Sequence, residues 1–299
     1  MRHNKVAFLF LFLFFGSYFL YAQKSILNVK SPEEMLTDAS GDISLFEKPI
    51  PYGYIDQRDI MWSKVVWEVI DLDERINYPL YYPVDNVLDN SRRSLYDVLL
   101  NAIKSENLTD VYSDEYFIEK INKEEIERRI QKIDTLPAGI DQKNAGEAVD
   151  PQFIDKRTIG AKDIDQYWIK GMWYFDRRMG ELKYRLLGIA PVAPDVNFIN
   201  DNNVNKEEVN VPFFWVWYPS AREILNNSYV FNPKNPSNPI SFDMLLNARR
   251  FNAVIYREEN EYGDREIKDY IVKNSLFQLL ESNRIKEAIR DKEQDMWSY

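Results

Sequence analysis

Beyond its first 22 residues this chain has neither cysteine nor histidine: its single histidine is His3, and cysteine is absent throughout. Disulfides are therefore excluded, and the fold has to be held by its core. An apolar content of 45% is ordinary for a globular protein and sufficient for a sizeable core. The same absence excludes a Ser-His-Asp or Cys-His nucleophilic site, a histidine general base, and a zinc or copper site built on nitrogen or sulfur. It also excludes a lipid anchor on a leading cysteine. These exclusions point away from catalysis and towards a protein that works by binding.

Arg2 and Lys5 precede an unbroken apolar run, Val6 to Phe15, and Gly16 and Ser17 then loosen it. Leu20-Tyr21-Ala22 ends the stretch on a small residue before Gln23. That order is the layout of a secretion signal over residues 1–22, cut between Ala22 and Gln23. An uncleaved anchor is the competing reading, but Val6 to Ala22 is 17 residues, and a spanning helix needs about 20. No later stretch is long or apolar enough to span, so the mature chain is expected to be soluble and exported.

Loss of Arg2 and Lys5 takes the formal charge from −10 to −12. An acidic surface of this kind repels nucleic acid and anionic headgroups, so neither is expected as a partner. The 19 Tyr and 7 Trp are numerous enough to serve a core, a binding surface, or both. No pair of the 10 glycines forms a phosphate-cradling loop.

The chain reads as α+β: two mixed strand/helix units, 59–133 and 164–299, joined by a loop-rich linker at 134–163. An extended lead-in, 23–58, precedes them, punctuated by Pro32, Gly41, Pro49, Pro51 and Gly53. Met61 to Leu72 is predicted as a strand, and Tyr78 to Pro83 as extended. Ser94 to Lys104 reads as a helix with Ser94 and Asp97 in a capping box. Residues 117–133 carry an isoleucine stripe opposite charges at salt-bridging spacing, a second helix. Gln166 to Phe175 and Glu181 to Ile189 are predicted as a hairpin around Arg177-Arg178-Met179-Gly180. Phe213 to Tyr218 is an apolar strand, Asp243 to Arg250 a helix, and Phe251 to Arg257 a strand. The longest helix is expected from about Arg265 to Asp291, with Ile267, Ile271, Phe277, Leu280, Ile285 and Ile289 mostly on one side.

Two segments echo each other. Asp59, Trp62, Lys64 and Trp67 recur at the same spacing as Asp165, Trp168, Lys170 and Trp173. Asp97-Val98-Leu99-Leu100-Asn101-Ala102 recurs as Asp243-Met244-Leu245-Leu246-Asn247-Ala248. An old duplication and a convergent strand-then-helix pattern both account for this.

Carboxylates remain the plentiful catalytic currency. Asp71, Asp73 and Glu74 cluster after a strand and Asp176 ends another, the raw material of a glycosidase-like pair. With 48 acidic residues such clusters arise by accident, and no catalytic residue, cofactor or metal is assigned. Asp201-Asn203-Asn205 has the first oxygen spacings of a calcium loop. It lacks the glycine at the sixth position, and Pro212 stands where the twelfth-position Glu belongs. The Phe213–Tyr218 run is a buried strand or an aromatic docking edge. Trp215, Trp217, Tyr218 and Arg222 are the candidate partner contacts, because aromatic and guanidinium groups concentrate there.

The phrase Trp67-Glu-Val-Ile-Asp-Leu-Asp-Glu-Arg-Ile-Asn-Tyr-Pro-Leu-Tyr-Tyr-Pro83 resembles a signature of the gliding-motility-associated GldN/PorN family. So do Trp173–Asp176, Leu187–Pro191, Trp217–Arg222 and Phe242–Arg249, in order through most of the mature chain. The resemblance implies a periplasmic subunit of the type IX protein secretion machinery of Bacteroidetes. It implies a ring complex with an outer-membrane lipoprotein, GldK/PorK, and contact with the periplasmic part of GldM/PorM. It carries no catalytic residues and no motif for either contact. The alternative from the residues alone is a secreted carbohydrate-active enzyme or sugar-binding module, which also favours Trp, Tyr and carboxylates.

Overall fold

A β-branched, aromatic run sets the scaffold: Ile60–Asp71 forms one 12-residue strand, β1, alongside which the rest of the sheet assembles. The computed structural model describes residues 49–84, 92–146, 148, 150–198, 209–230 and 240–297. The expected leader with its Ala22–Gln23 cut, the lead-in before residue 49 and the Asp201–Asn205 loop lie outside the described residues.

After β1 come α1 (Tyr78–Tyr81), α2 (Leu95–Lys104), β2 (Val111–Tyr112) and α3 (Lys123–Ile130). β3 (Gln131–Thr135), α4 (Pro137–Asn144) and β4 (Ile154–Thr158) follow. Next are β5 (Gln166–Asp176), β6 (Glu181–Pro194), β7 (Asn210–Pro212), β8 (Trp215–Trp217) and α5 (Tyr218–Asn226). β9 (Tyr229–Val230), β10 (Ile240–Ser241), α6 (Phe242–Asn247), β11 (Val254–Glu258), α7 (Ile267–Tyr270) and α8 (Ser275–Trp297) complete the order. Among the described residues no helix is long and apolar enough to cross a membrane.

The main sheet is antiparallel, ordered β11-β1-β5-β6-β8-β2, with β7 beside the end of β6. The hairpin predicted around residues 177–180 forms as β5–β6. Gly180, at φ 64, closes it by donating its N–H to the Asp176 carbonyl at 2.8 Å. Strands from both stretches read as units therefore share one sheet, within the compact body Phe46–Tyr299. They also share one core: Ile70 and Leu99 from the first stretch pack with Ile169, Phe214 and Phe242 from the second.

The sheet has two unlike faces. Ile70, Tyr167, Ile169, Leu186 and Ile189 face helices α2, α5 and α6. Trp67, Ala190 and Trp215 point the other way, joined by Trp168, Tyr112, Phe117 and Tyr256. This decides how the echoed segments relate. They are neighbours, with Lys64 opposite Trp173 and Trp67 opposite Lys170. Because side chains alternate along a strand, Trp67 and Trp173 project to opposite faces. Trp173 packs with Val66 and Ile285, and Trp67 packs with Trp215. The shared spacing places the two tryptophans in different surroundings.

Four local expectations need correction. Tyr78–Tyr81 is helical, because Pro79 stands in the first turn, where a missing N–H costs nothing. The helix read over 117–133 covers only Lys123–Ile130, and Gln131 turns extended to begin β3. The stretch 134–163 carries α4 and pairs β4 with β3. The C-terminal helix is two pieces: Lys273 is left-handed at φ 59, and Asn274 Oδ1 accepts the Phe277 N–H at 3.1 Å to start α8 afresh. Half of the capping box expected at α2 forms: Ser94 Oγ accepts from the Asp97 N–H at 3.2 Å, while the Asp97 carboxylate accepts from the Ser94 hydroxyl at 2.9 Å.

Candidate protein interface

Of the four residues singled out for partner contact, the fold buries three. Trp215 and Tyr218 are 1% and 0% exposed and Arg222 is 8%. Trp217 is partly exposed, its ring 4.9 Å from that of Phe117. The Trp-Val-Trp strand ends where Pro219 opens α5, so Tyr218 and Arg222, one turn apart, face α6 together. Arg222 Nε and Nη2 donate to the two Asp243 carboxylate oxygens at 2.9 and 3.0 Å. The Tyr218 hydroxyl donates to Asp243 Oδ1 at 2.8 Å, and Asn247 Nδ2 donates to the same oxygen at 2.8 Å. Burial, followed by the Asp243 charge, holds the Tyr218 phenol well above its usual range.

This network holds the end of the lead-in. Arg222 Nη2 donates to the Ile50 carbonyl at 2.6 Å, and its guanidinium lies 4.0 Å from the Tyr52 ring centroid. The Tyr52 hydroxyl donates to Asn247 Oδ1 at 2.9 Å. Burial pushes that phenol up to about 12 against the opposing pull of Arg222. Arg185 and Arg178 donate to the Gly53 and Tyr54 carbonyls at 3.3 and 2.6 Å. Three arginines thus dock an extended segment by its backbone, which is why its own side chains gave no sign of order.

A second buried pair joins the sheet to the end of α6. Arg249 meets Glu68 with both prongs, and the Tyr184 hydroxyl adds a 3.2 Å hydrogen bond to Glu68. Tyr184 reaches Glu68 because its ring crosses Gly171, where any Cβ would collide with it. A cavity of about 410 Å³ lies beside this pair, lined in part by Trp173, Phe251 and Lys286. Burial lowers the Lys286 ammonium below its usual range.

On the far face of the sheet, cations sit among the aromatic rings. Lys170 Nζ lies 4.8, 4.9 and 5.5 Å from the Trp67, Tyr116 and Phe117 ring centroids and donates to the Glu115 carbonyl at 3.0 Å. Burial lowers its pKa, opposed by Glu115. Arg257 lies 4.4 Å from the Trp67 ring and pairs with the Glu115 carboxylate. Sequence reasoning noted Lys170 only as part of the echoed spacing and passed over Arg257; a lysine amid Tyr167-Trp-Ile and Gly-Met-Trp173 was the available signal.

Of the carboxylates singled out in the sequence, Asp71 and Asp176 are too far apart to act as a pair. Asp71 and Asp176 stand at opposite ends of the β1–β5 ladder, about 35 Å apart at the rise of a strand. Glycosidase pairs stand about 5–10 Å apart. Asp71 and Asp73 are exposed, and Glu74 Oε2 accepts from Asn252 Nδ2 at 2.7 Å. Asp176 caps the hairpin turn. Burial alone would raise its pKa, but N–H groups of Arg178 and Met179 and the Lys183 ammonium hold it below the usual carboxylate range, the wrong direction for a general acid.

The surface feature that sequence periodicity placed elsewhere is at the start of α8. Phe277 and Leu280, placed by periodicity on the same side as Ile285 and Ile289, are 55% and 52% exposed, while Ile285 and Ile289 further along are buried. Leu276, Leu279, Val272 and Tyr270 are also exposed, at 64%, 45%, 66% and 41%. Tyr270, Ile271, Val272, Phe277 and Leu280 border an open hollow rimmed by the ion pair of Glu281 with Arg284. Contiguous apolar surface with a polar rim is the mark of a protein contact.

A family model described as "Gliding motility associated protein GldN" matches residues 55–298. A search of curated proteins finds no match.

Proposed function

The chain belongs to the GldN family of gliding motility associated proteins, and on that premise we propose that it is a non-enzymatic assembly subunit of the type IX secretion and gliding machinery. It is exported to the periplasm and held at the outer membrane by the lipoprotein GldK/PorK, with which it forms a ring. It also contacts the periplasmic part of GldM/PorM. The observation that carries the reading is the exposed apolar surface of Tyr270, Val272, Leu276, Phe277 and Leu280, large side chains left in solvent at the joint between α7 and α8. Trp217, the one partly exposed member of the earlier cluster, is a second point of contact.

The internal design supports the same role. Guanidinium–carboxylate forks tie α5 to α6 through Arg222–Asp243 and the end of α6 to the sheet through Arg249–Glu68, an arrangement suited to holding geometry. Size-exclusion chromatography of the purified protein with the purified lipoprotein tests the reading. A joint peak larger than either component is the expected result, and separate elution at micromolar concentration overturns it.

A further inference from the structure

The ribbon of β3 and β4 forms a sheet of its own: among the described residues its two strands pair with each other and with no other strand. Its sides are reversed. Lys132, Asp134, Asp155 and Arg157 share the half-buried side, where Lys132 Nζ donates to Asn197 Oδ1 at 2.7 Å. The other side carries Ile133 and Ile154, 59% and 39% exposed, together with Thr135 and Lys156. Apolar side chains therefore face solvent while the charged side is the covered one. A two-stranded ribbon is marginal in water by itself, so an apolar side left open on one marks a contact.

The charges of the ribbon are set against each other across the ladder. Lys132 lies opposite Arg157 and Asp134 opposite Asp155, like-charge pairings that weaken a ladder. Relief comes along each strand, where Lys132 meets Asp134 at 3.4 Å and Arg157 meets Asp155 at 2.8 Å. The hydrogen-bond phase is fixed at both ends. Ile159 donates its N–H to the Ile130 carbonyl, and Leu136 donates its own to the Phe153 carbonyl. Alternate residues of an antiparallel strand bond to the same neighbour, so Lys132 and Asp134 bond to β4. Ile133 and Thr135 then point their N–H and C=O groups outward, along an edge that no described strand covers. The sequence of that edge, Gln131-Lys-Ile-Asp-Thr135, is its own complement in charge when read in the opposite direction.

We propose that the free edge of β3 pairs with the same edge of a second copy of this chain, antiparallel about a two-fold axis at Ile133. Ile133 exchanges both backbone hydrogen bonds with Ile133 of the second copy, and the Thr135 N–H donates to the second copy's Gln131 carbonyl. Lys132 stands opposite Asp134 of the second copy, and Asp134 opposite its Lys132. The dimer thus gains two unlike pairs where the ribbon alone has like ones. The two Ile133 side chains cover each other on the exposed side. The edge of β4 offers no such match, because a two-fold axis at its centre sets Lys156 against Lys156. A contact of this kind is isologous: it joins copies two by two and closes on itself. It does not depend on the lipoprotein.

Sedimentation velocity of the purified protein between about 1 and 100 µM tests this. A shift from monomer to twice the monomer mass is the expected result. Lys132→Asp and Asp134→Lys each set like charges against each other across the two-fold axis, and either should weaken pairing at least about tenfold. Neither should lower Tm, because each puts an unlike charge opposite Arg157 or Asp155 within the ribbon. Mixing the two variants restores both unlike pairs in a heterodimer, so the mixture should dimerise where each variant alone does not. Ile133→Pro removes an N–H that β4 does not use, and should abolish pairing while the ribbon persists. A wild-type protein that stays monomeric at about 100 µM overturns the proposal. So does a dimer indifferent to these variants, or a mixture that fails to pair. A monomer whose capture of the lipoprotein is lost on Ile133→Pro also overturns it, and assigns the edge to a strand of that partner.

Discussion

Glu68 and Arg249, 181 residues apart in the chain, meet as a two-pronged ion pair with N–O distances of 2.8 and 2.9 Å. Glu68 is 1% exposed, so removing its partner strands a charge. Arg249→Met is expected to cost about 3–5 kcal/mol. Glu68→Gln with Arg249→Met should recover much of it, since the uncompensated charge is gone. Urea unfolding of the three proteins checks this, and equal stability of the single and double variants would count against the pair.

Docking of the lead-in depends on Arg222. Arg222→Lys keeps the charge but loses the fork that spans Asp243 and the Ile50 carbonyl. Chymotrypsin cleavage after Tyr52 and Tyr54 should accelerate in this variant while hydrogen exchange in β5 stays unchanged. Tyr52→Phe should show a weaker form of the same effect, worth about 1 kcal/mol for its single hydroxyl contact.

Asp176 predicts a pH dependence. Its folded pKa lies below the unfolded value, which is about 3.9 for Asp. Its stabilisation is therefore present above that value and lost as pH falls through the folded pKa. Asp176→Asn keeps an oxygen for the turn but no charge. The Tm gap between wild type and D176N should be constant near neutral pH and close below about pH 4. A gap that does not narrow in acid would show that the charge does not matter.

The sequence made the strands and caps legible because their signals are local. The Ser94 cap, the β5–β6 hairpin and the Met61–Leu72 strand all rest on neighbours within a few residues. The phrases that carried the family resemblance turn out to be partners in space. Glu68 of the first pairs with Arg249 of the last, and Arg222 pairs with Asp243. Nothing in linear spacing announces such pairs. Periodicity also treated Phe277 and Ile285 alike, because a stripe on a helix does not say how far along the helix the core extends. The cationic face stayed hidden for a further reason: the bulge at Tyr256 that assembles it depends on pairing with β1.

The central claim, that the protein acts through partner contact at the α7–α8 joint, is tested most directly by co-purification. Phe277→Glu with Leu280→Lys changes side chains that are already about half exposed, so Tm should stay within about 2 °C of wild type. Capture of the lipoprotein GldK/PorK by this variant should fall at least about tenfold, the loss of a hot-spot contact. Undiminished capture by a folded F277E/L280K protein would contradict the account.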